Sequence, residues 1–250
     1  MGVFAGPTES WLYNTRAGGL HRLVTDGLVL ALDAGNSKSY PGSGTTWTDL
    51  SGNGNNGTLV NGVGYNSDNR GSLVFDGSND YVSKSSWTNP PTTVFSIGCW
   101  VKFSDNLNNR YVLSFGRDAG GPFLGGLALF AYGFNVVADQ LFFECGSAVG
   151  RVSSGIVPSL NVWYHLTVTA DGTNTRFYLN AELKNTSSQG GGGIASNPTL
   201  SVGSYVSSSG TPGVLFHSGN IAQVSIYNRA LSAAEVSQNY EALKGRYGLP

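Results

Sequence analysis

Charged residues are scarce in this chain: Asp, Glu, Lys and Arg make up 12 % of its 250 residues and leave a net charge of −1. The 14 lysines and arginines stand singly, so there is no basic stripe of the kind that nucleic acid requires. Apolar runs are short as well. None approaches the roughly 20 residues a helix needs to cross a bilayer, so no membrane span is expected. The N-terminus, MGVFAGPTESWLYNTRAGGLHRL, has no charged start leading into an apolar segment, and no secretory leader is expected. The two cysteines, Cys99 and Cys145, each fall inside a strand-like run and read as buried thiols rather than a disulfide. The three histidines, His21, His165 and His217, are isolated from one another, and His165 reads as a packed strand residue rather than a ligand or base. No G-x-S-x-G, H-E-x-x-H, C-x-x-C or P-loop motif occurs, which removes most routes to nucleophilic, zinc or nucleotide chemistry.

Glycine and period-two alternation are what the chain has in quantity. Its 36 glycines, among many Ser, Thr and Asn, suit short strands joined by tight turns, and the length suits one all-β domain. Residues Leu73–Phe103 form the centre of the pattern. In FSIGCWVKF, Phe95, Ile97, Cys99, Val101 and Phe103 alternate with Ser96, Gly98, Trp100 and Lys102, which predicts a strand with a buried face. Before it, LVFDGSNDYV reads as strand, turn, strand, because Asp76-Gly77 and Asn79-Asp80 tolerate positive φ or bond their own backbone. Further strands are expected at GLVLALDAG, YVLSF, GGLALFAYG, QLFFECG and LSVGSYV. Residues 161–183 predict a hairpin turning at Asp171–Asn174, Gly190–Gly193 a flexible loop, and Ala222–Tyr227 the last strand. Ser232 and Glu235 form a capping box, which predicts a helix to about Lys244 with Gly245 as its stop. Residues 1–24 show no period and read as an arm, with Trp11 and Tyr13 as assembly anchors, ahead of a domain over 25–250.

Two motifs in SYPGSGTTWTDLSGNGNNGTLVNGVGY mislead. Gly52, Gly54 and Gly57 match G-x-G-x-x-G, yet neither the strand before nor the helix after that a dinucleotide site needs is present. The run from Asp49 opens like a calcium loop, but Val60 stands where a bidentate Glu would close it. A looser site on Asp49 and Asn53 and plain Asx-turn structure remain as alternatives.

Four landmarks, DLSGNGNNGTL, FDGSNDYV, FSIGCWVKF with WYHLTVTADG and FYLNAEL, and the closing GNIAQVSIYNRALSAAEV, resemble the laminin G-like, concanavalin A-like lectin/glucanase family over about residues 27–240. The resemblance implies an all-β, two-sheet antiparallel jelly-roll sandwich, with the N-terminal arm and one short C-terminal helix outside it. The segment from Gly27 to Leu59 is similar to the start of such domains in bacteriophage virion proteins. That implies a virion protein of the head or tail surface, made in the host cytoplasm and freed by lysis. Its partners would be capsid or tail subunits, a homo-oligomer is expected, and host or environmental glycans would be ligands. Family glucanases carry E-x-D-x-x-E on one strand, and Glu9, Glu144, Glu182, Glu235 and Glu241 never fall in that pattern, so a non-catalytic protein is expected. A free carbohydrate-binding or adhesion module of a bacterial surface is the second reading, and a glycan hydrolase the third. A pyranose needs aromatic faces and short polar groups, for which Trp47, Trp87, Tyr205 and Asn79 are the candidates. Calcium, by family analogy, would take Asp49, Asn53, Asp76 and Asp80.

Overall fold

A computed structural model describes residues 13–14, 21–105, 110–115, 127–131, 140–145, 151–188, 199–206 and 212–250. In chain order the strands are β1 (Tyr13–Asn14), β2 (His21–Arg22), β3 (Leu28–Asp33), β4 (Thr46–Trp47), β5 (Gly57–Val60), β6 (Gly64–Asn66) and β7 (Ser72–Asp76). They continue as β8 (Tyr81–Lys84), β9 (Val94–Phe103), β10 (Arg110–Phe115), β11 (Leu127–Ala131), β12 (Leu141–Cys145), β13 (Arg151–Ser153) and β14 (Trp163–Asp171). The last are β15 (Thr175–Leu179), β16 (Glu182–Ser187), β17 (Leu200–Val202), β18 (Tyr205–Val206), β19 (Pro212–Val214) and β20 (Ser218–Tyr227), followed by helix α1 (Ala233–Leu243). One large antiparallel sheet runs β13-β12-β11-β10-β17-β8-β5-β4. The other runs β16-β15-β14-β9-β20-β7-β6, with β3 beside the second half of β20. The molecule is a two-sheet antiparallel jelly roll with one short C-terminal α-helix among the described residues.

The alternation in the sequence sets the core. Phe95, Ile97, Cys99, Val101 and Phe103 on β9 meet Leu166 and Val168 on β14 and Val224 and Ile226 on β20, and this apolar face packs on Leu59, Val82, Val112, Phe115, Leu141, Phe143 and Val202 of the other sheet. The FDGSND turn carries the chain from one sheet to the other: β7 pairs β20 and β8 pairs β5 and β17, so Phe75 and Val82 enter the same core from opposite layers. Burial pushes the Cys99 thiol pKa up and leaves it an unreactive free cysteine.

The outer face of the β9 sheet is also buried. Trp100 stacks on Tyr247 at 4.2 Å and on His165 at 5.0 Å, with Tyr240 of α1 at 5.7 Å, and Leu23 joins them. Burial holds the His165 imidazole neutral, its pKa lowered to about 3, which suits a packing role. The helix begins as the sequence predicts, with Ser232 and Glu235 bonding each other's backbone N–H. It ends at Leu243, beside the expected Lys244, but Gly245 is not its stop and lies inside the turn that follows. A 3-10 turn, Lys244–Tyr247, carries on to Gly248, whose φ of 67° makes the left-handed stop. Arg246 there forms a buried two-pronged pair with Asp33 of β3, at 2.7 and 2.8 Å, and that distant contact overrides the local glycine signal.

Two further expectations change. LSVGSYV is not one strand: Gly203, at φ +85° with the Phe75 ring against it, breaks it into β17 and β18. The base of the arm belongs to the domain. Val24 N–H donates to Asn239 Oδ1, Val24 C=O accepts from Tyr227 Oη, and Leu23 and Val24 are buried under α1. Farther out, β1 and β2 form a hairpin beside α1, and Trp11 lies outside the described residues, as do residues 190–193.

Candidate functional site

The loop that looked like a metal or nucleotide motif is instead a cover for a sheet edge. Among the described residues the outer edge of β3 has no neighbouring strand, and its main-chain groups are met by residues 39–55: Ala31 N–H donates to Asp49 Oδ1, Ala31 C=O accepts from Leu50 N–H, and Asp33 N–H donates to Ser39 Oγ. The Val29 carbonyl accepts from Ser51 Oγ and Asn55 Nδ2, and the Leu28 carbonyl from Asn53 Nδ2. Asp49 accepts two bonds on each carboxylate oxygen, from Ala31 and Ser51 N–H and from Ser51 Oγ and Asn55 N–H. Its lone pairs are therefore filled by donors of the chain, and Asx-turn structure is the outcome at Asp49. Asp76 and Asp80 sit at the far end of β8, since the 49–55 loop bonds Thr88 while the FDGSND turn precedes Tyr81. The four metal candidates are thus split between two places. Asp76 Oδ1 accepts from Ser78 and Asn79 N–H, and Asp80 Oδ2 from Asp76 N–H. Burial, with the Asp76 charge adding to it, raises the Asp80 pKa above the usual carboxylate range despite that hydrogen bond. Among the described residues no group of three or more His, Cys, Asp and Glu could hold a metal ion.

The glycan candidates divide as well. Trp47 is 0 % exposed in the main core, so its ring is not available to a sugar. Trp87 is half-buried and packs on Phe115 at 5.5 Å. Tyr205 and Asn79, by contrast, flank one surface: the outer face of the sheet that carries β10 and β17, around the β18–β19 hairpin. Val82 of β8 and Leu141 and Phe143 of β12 point inward, so Tyr81 and Phe142 point outward. Tyr205 lies half-buried on Tyr111, centroids 4.9 Å apart, with Phe142 completing the cluster. Across the hairpin, a side chain placed at Gly213 would meet Tyr81 and Phe216, both half-buried. Exposed Asn79 stands two residues before Tyr81.

Hydroxyls and one arginine hold this surface in place. Ser114 Oγ donates to Ser204 C=O and accepts from Val206 N–H, and Ser201 and Ser204 share a 2.6 Å hydroxyl contact, which fixes β18 over β10. Arg110 donates to Asp105 through two nitrogens and to the Gly77 and Phe216 carbonyls through the third, joining the FDGSND turn to the segment that carries Phe216. Sequence reasoning missed Tyr81, Phe216 and Arg110. Tyr81 was open to it, because a residue beside inward Val82 must face outward; the other two depend on contacts about a hundred residues apart.

Residues 76–237 match the family described as the Concanavalin A-like lectin/glucanases superfamily. The chain belongs to this family. Its fold resembles domain 4 of an extracellular arabinanase from Geobacillus stearothermophilus, solved with arabinotriose, at a TM-score of 0.63 and 16 % identity over 85 % of this chain and 98 % of that one. It also resembles the binding domain of Paraclostridial Mosquitocidal Protein 1 (TM-score 0.61, 16 % identity, 90 % of this chain and 56 % of that one). The binding domain of botulinum neurotoxin serotype D is similar to the same degree (TM-score 0.61, 16 % identity, 87 % and 52 %). The chain spans about half the length of these toxin domains, and identity this low speaks to the fold alone. A search of the curated proteins finds no match.

Proposed function

We propose that this chain is a non-catalytic glycan-binding domain whose ligand lies on the outer face of the sheet that carries β10 and β17, against Tyr205, Tyr81 and Phe216. The observation that carries the reading is the gathering of three half-buried aromatic rings around one hydroxyl-pinned hairpin, with exposed Asn79 at its border. Such rings cover the apolar face of a pyranose or furanose while an amide meets its hydroxyls. Relatives in fold have been solved with arabinotriose and with SialylT, and cell entry of another, botulinum neurotoxin type C, is described as dependent upon interaction with two ganglioside molecules, which makes oligosaccharides the ligand class to screen. The non-catalytic part of the reading is supported by the acidic residues themselves. Glu182, Glu235 and Glu241 are each paired with a cation, and Glu144 stands in register with Ala128 and Arg151 on its sheet.

The setting we propose is the surface of a phage head or tail, on the resemblance of residues 27–59 to virion domains, with the arm reaching capsid or tail subunits through Trp11 and Tyr13. A glycan array tests the binding: the wild type is expected to select a sugar class, and Tyr205→Ala to lose about tenfold in affinity, roughly 1.4 kcal/mol, with little change in melting temperature. An array with no wild-type signal would remove the lectin reading and leave a structural role.

A further inference from the structure

Asparagine followed by glycine is the pair that loses a side-chain amide most readily, because glycine lets its main-chain nitrogen reach the asparagine Cγ with no Cβ in the way. The chain holds three such pairs, Asn53-Gly54, Asn56-Gly57 and Asn61-Gly62, and the fold treats them differently. Asn53 is half-buried, its Nδ2 donating to the Leu28 carbonyl at 3.2 Å and to Ser51 Oγ at 3.0 Å. Asn56 Oδ1 accepts from Asp49 N–H at 2.9 Å. Its glycine, Gly57, is a buried residue of β5 in register with Trp47, so close to Val82 that a Cβ would stand 2.6 Å from Val82 Cγ1. Asn61-Gly62 is the open pair. It links β5 of one sheet to β6 of the other, and both residues are exposed, with φ of 64° and 94°. A Cβ at Gly62 would meet nothing within 4 Å, and among the described residues no main-chain group accepts its N–H. Asn61 Nδ2 donates to the Asn79 carbonyl at 2.9 Å and so ties this link to the FDGSND turn.

We propose that Asn61 is a site of spontaneous deamidation, and that its conversion unties the FDGSND turn from the β5–β6 link. The Gly62 nitrogen gives its proton to solvent and bonds to Asn61 Cγ. The Cγ–Nδ2 bond breaks, and the side-chain nitrogen takes a proton from solvent and leaves as ammonia, closing a five-membered succinimide. Water then adds to one of the two ring carbonyls and opens the ring, which leaves aspartate or isoaspartate in place of the asparagine. Solvent supplies every reactant, and no oxidant or reductant is needed. Either product sets a carboxylate where the Asn79 carbonyl had a donor, so a hydrogen bond becomes a meeting of two acceptors. Asn79 borders the proposed ligand surface, so the change reaches that border, while the chemistry itself is independent of the glycan reading.

Peptide mass mapping of the full chain during incubation at mildly alkaline pH and body temperature tests this, by following the mass gain that exchange of an amide NH2 for OH brings at each asparagine. Asn61 is expected to convert about tenfold faster than Asn53 or Asn56, a difference in barrier that one retained hydrogen bond accounts for. Asn61→Asp, which creates one of the products directly, is expected to move the backbone amide signals of Asn79 and Asp80. Equal or faster conversion at Asn53 or Asn56, or an intact Asn61 once a free peptide of residues 57–66 has fully converted, would overturn the site. Asn79 and Asp80 signals unmoved by Asn61→Asp would overturn its effect on the turn.

Discussion

Asp49 shows how one side chain can stand in for a strand. With four accepted hydrogen bonds, two of them from the buried main-chain N–H groups of Ala31 and Asn55, it closes the β3 edge that would otherwise expose its ladder. Asp49→Asn keeps the shape but turns one oxygen into a donor facing a donor, and is expected to cost about 2–3 kcal/mol, read as a lower urea midpoint at unchanged slope. The Asx chemistry of this loop was legible in the sequence, but its partner strand, some twenty residues earlier, was not. Trp47 teaches the opposite lesson. Set among Thr, Ser and Gly it reads as a loop residue, and only the closure of β4 on β5 and the packing of the two sheets puts it in the core. Trp47→Ala is therefore expected to destabilise the fold by about 3–5 kcal/mol, seen in thermal melting, where Tyr205→Ala leaves the melting temperature nearly unchanged.

At the scale of elements, the strands with clean period two, β9, β14 and β20, could be read directly, because both their faces are buried and their residues alternate in kind. The short strands β4, β6 and β18 could not, since two or three residues carry no period and their pairing is set by distant neighbours. The start of α1 was legible from its capping box and its end near Lys244 as well, whereas the 3-10 turn that follows to Gly248 carries Arg246 to Asp33, a contact across the chain. Ser232→Ala is expected to cost about 1 kcal/mol in chemical denaturation. Glu235 adds a pH signature. Its hydrogen bonds with Arg229, then with the Ser232 backbone, lower its pKa from the usual carboxylate value to about 2 in the folded state. The stabilisation is thus complete above the unfolded value, near 4.5, and is lost as pH falls from there through about 2. Stability measured against pH should show Glu235→Gln converging on the wild type as the pH drops through that window.

For the whole molecule, the jelly roll was legible because one continuous stretch, Leu73–Phe103, supplies strands to both sheets and a turn that must cross between them. The packing of the arm's last residues was not, because Val24 is held by Tyr227, Val236 and Asn239, some two hundred residues away, and Leu23 packs with Trp100 and Tyr240. Truncation should expose the difference. Removing residues 1–20 is expected to leave a folded domain that, in the virion setting we propose, no longer joins a particle, whereas removing 1–25 also strips two buried side chains and should cost about 3 kcal/mol or more in stability. Incorporation of the 1–20 deletion into particles at the wild-type level would take the arm out of the assembly account. The central claim, a sugar bound on the outer face of the sheet that carries β10 and β17, is tested most directly by mapping backbone amide shifts during titration with the best oligosaccharide from the array. The account predicts shifts concentrated at Asn79, Tyr81, Tyr205, Gly213 and Phe216, with Thr46–Asn56 silent; shifts centred on Thr46–Asn56 and Trp87 instead, or none anywhere at saturating sugar, would contradict it.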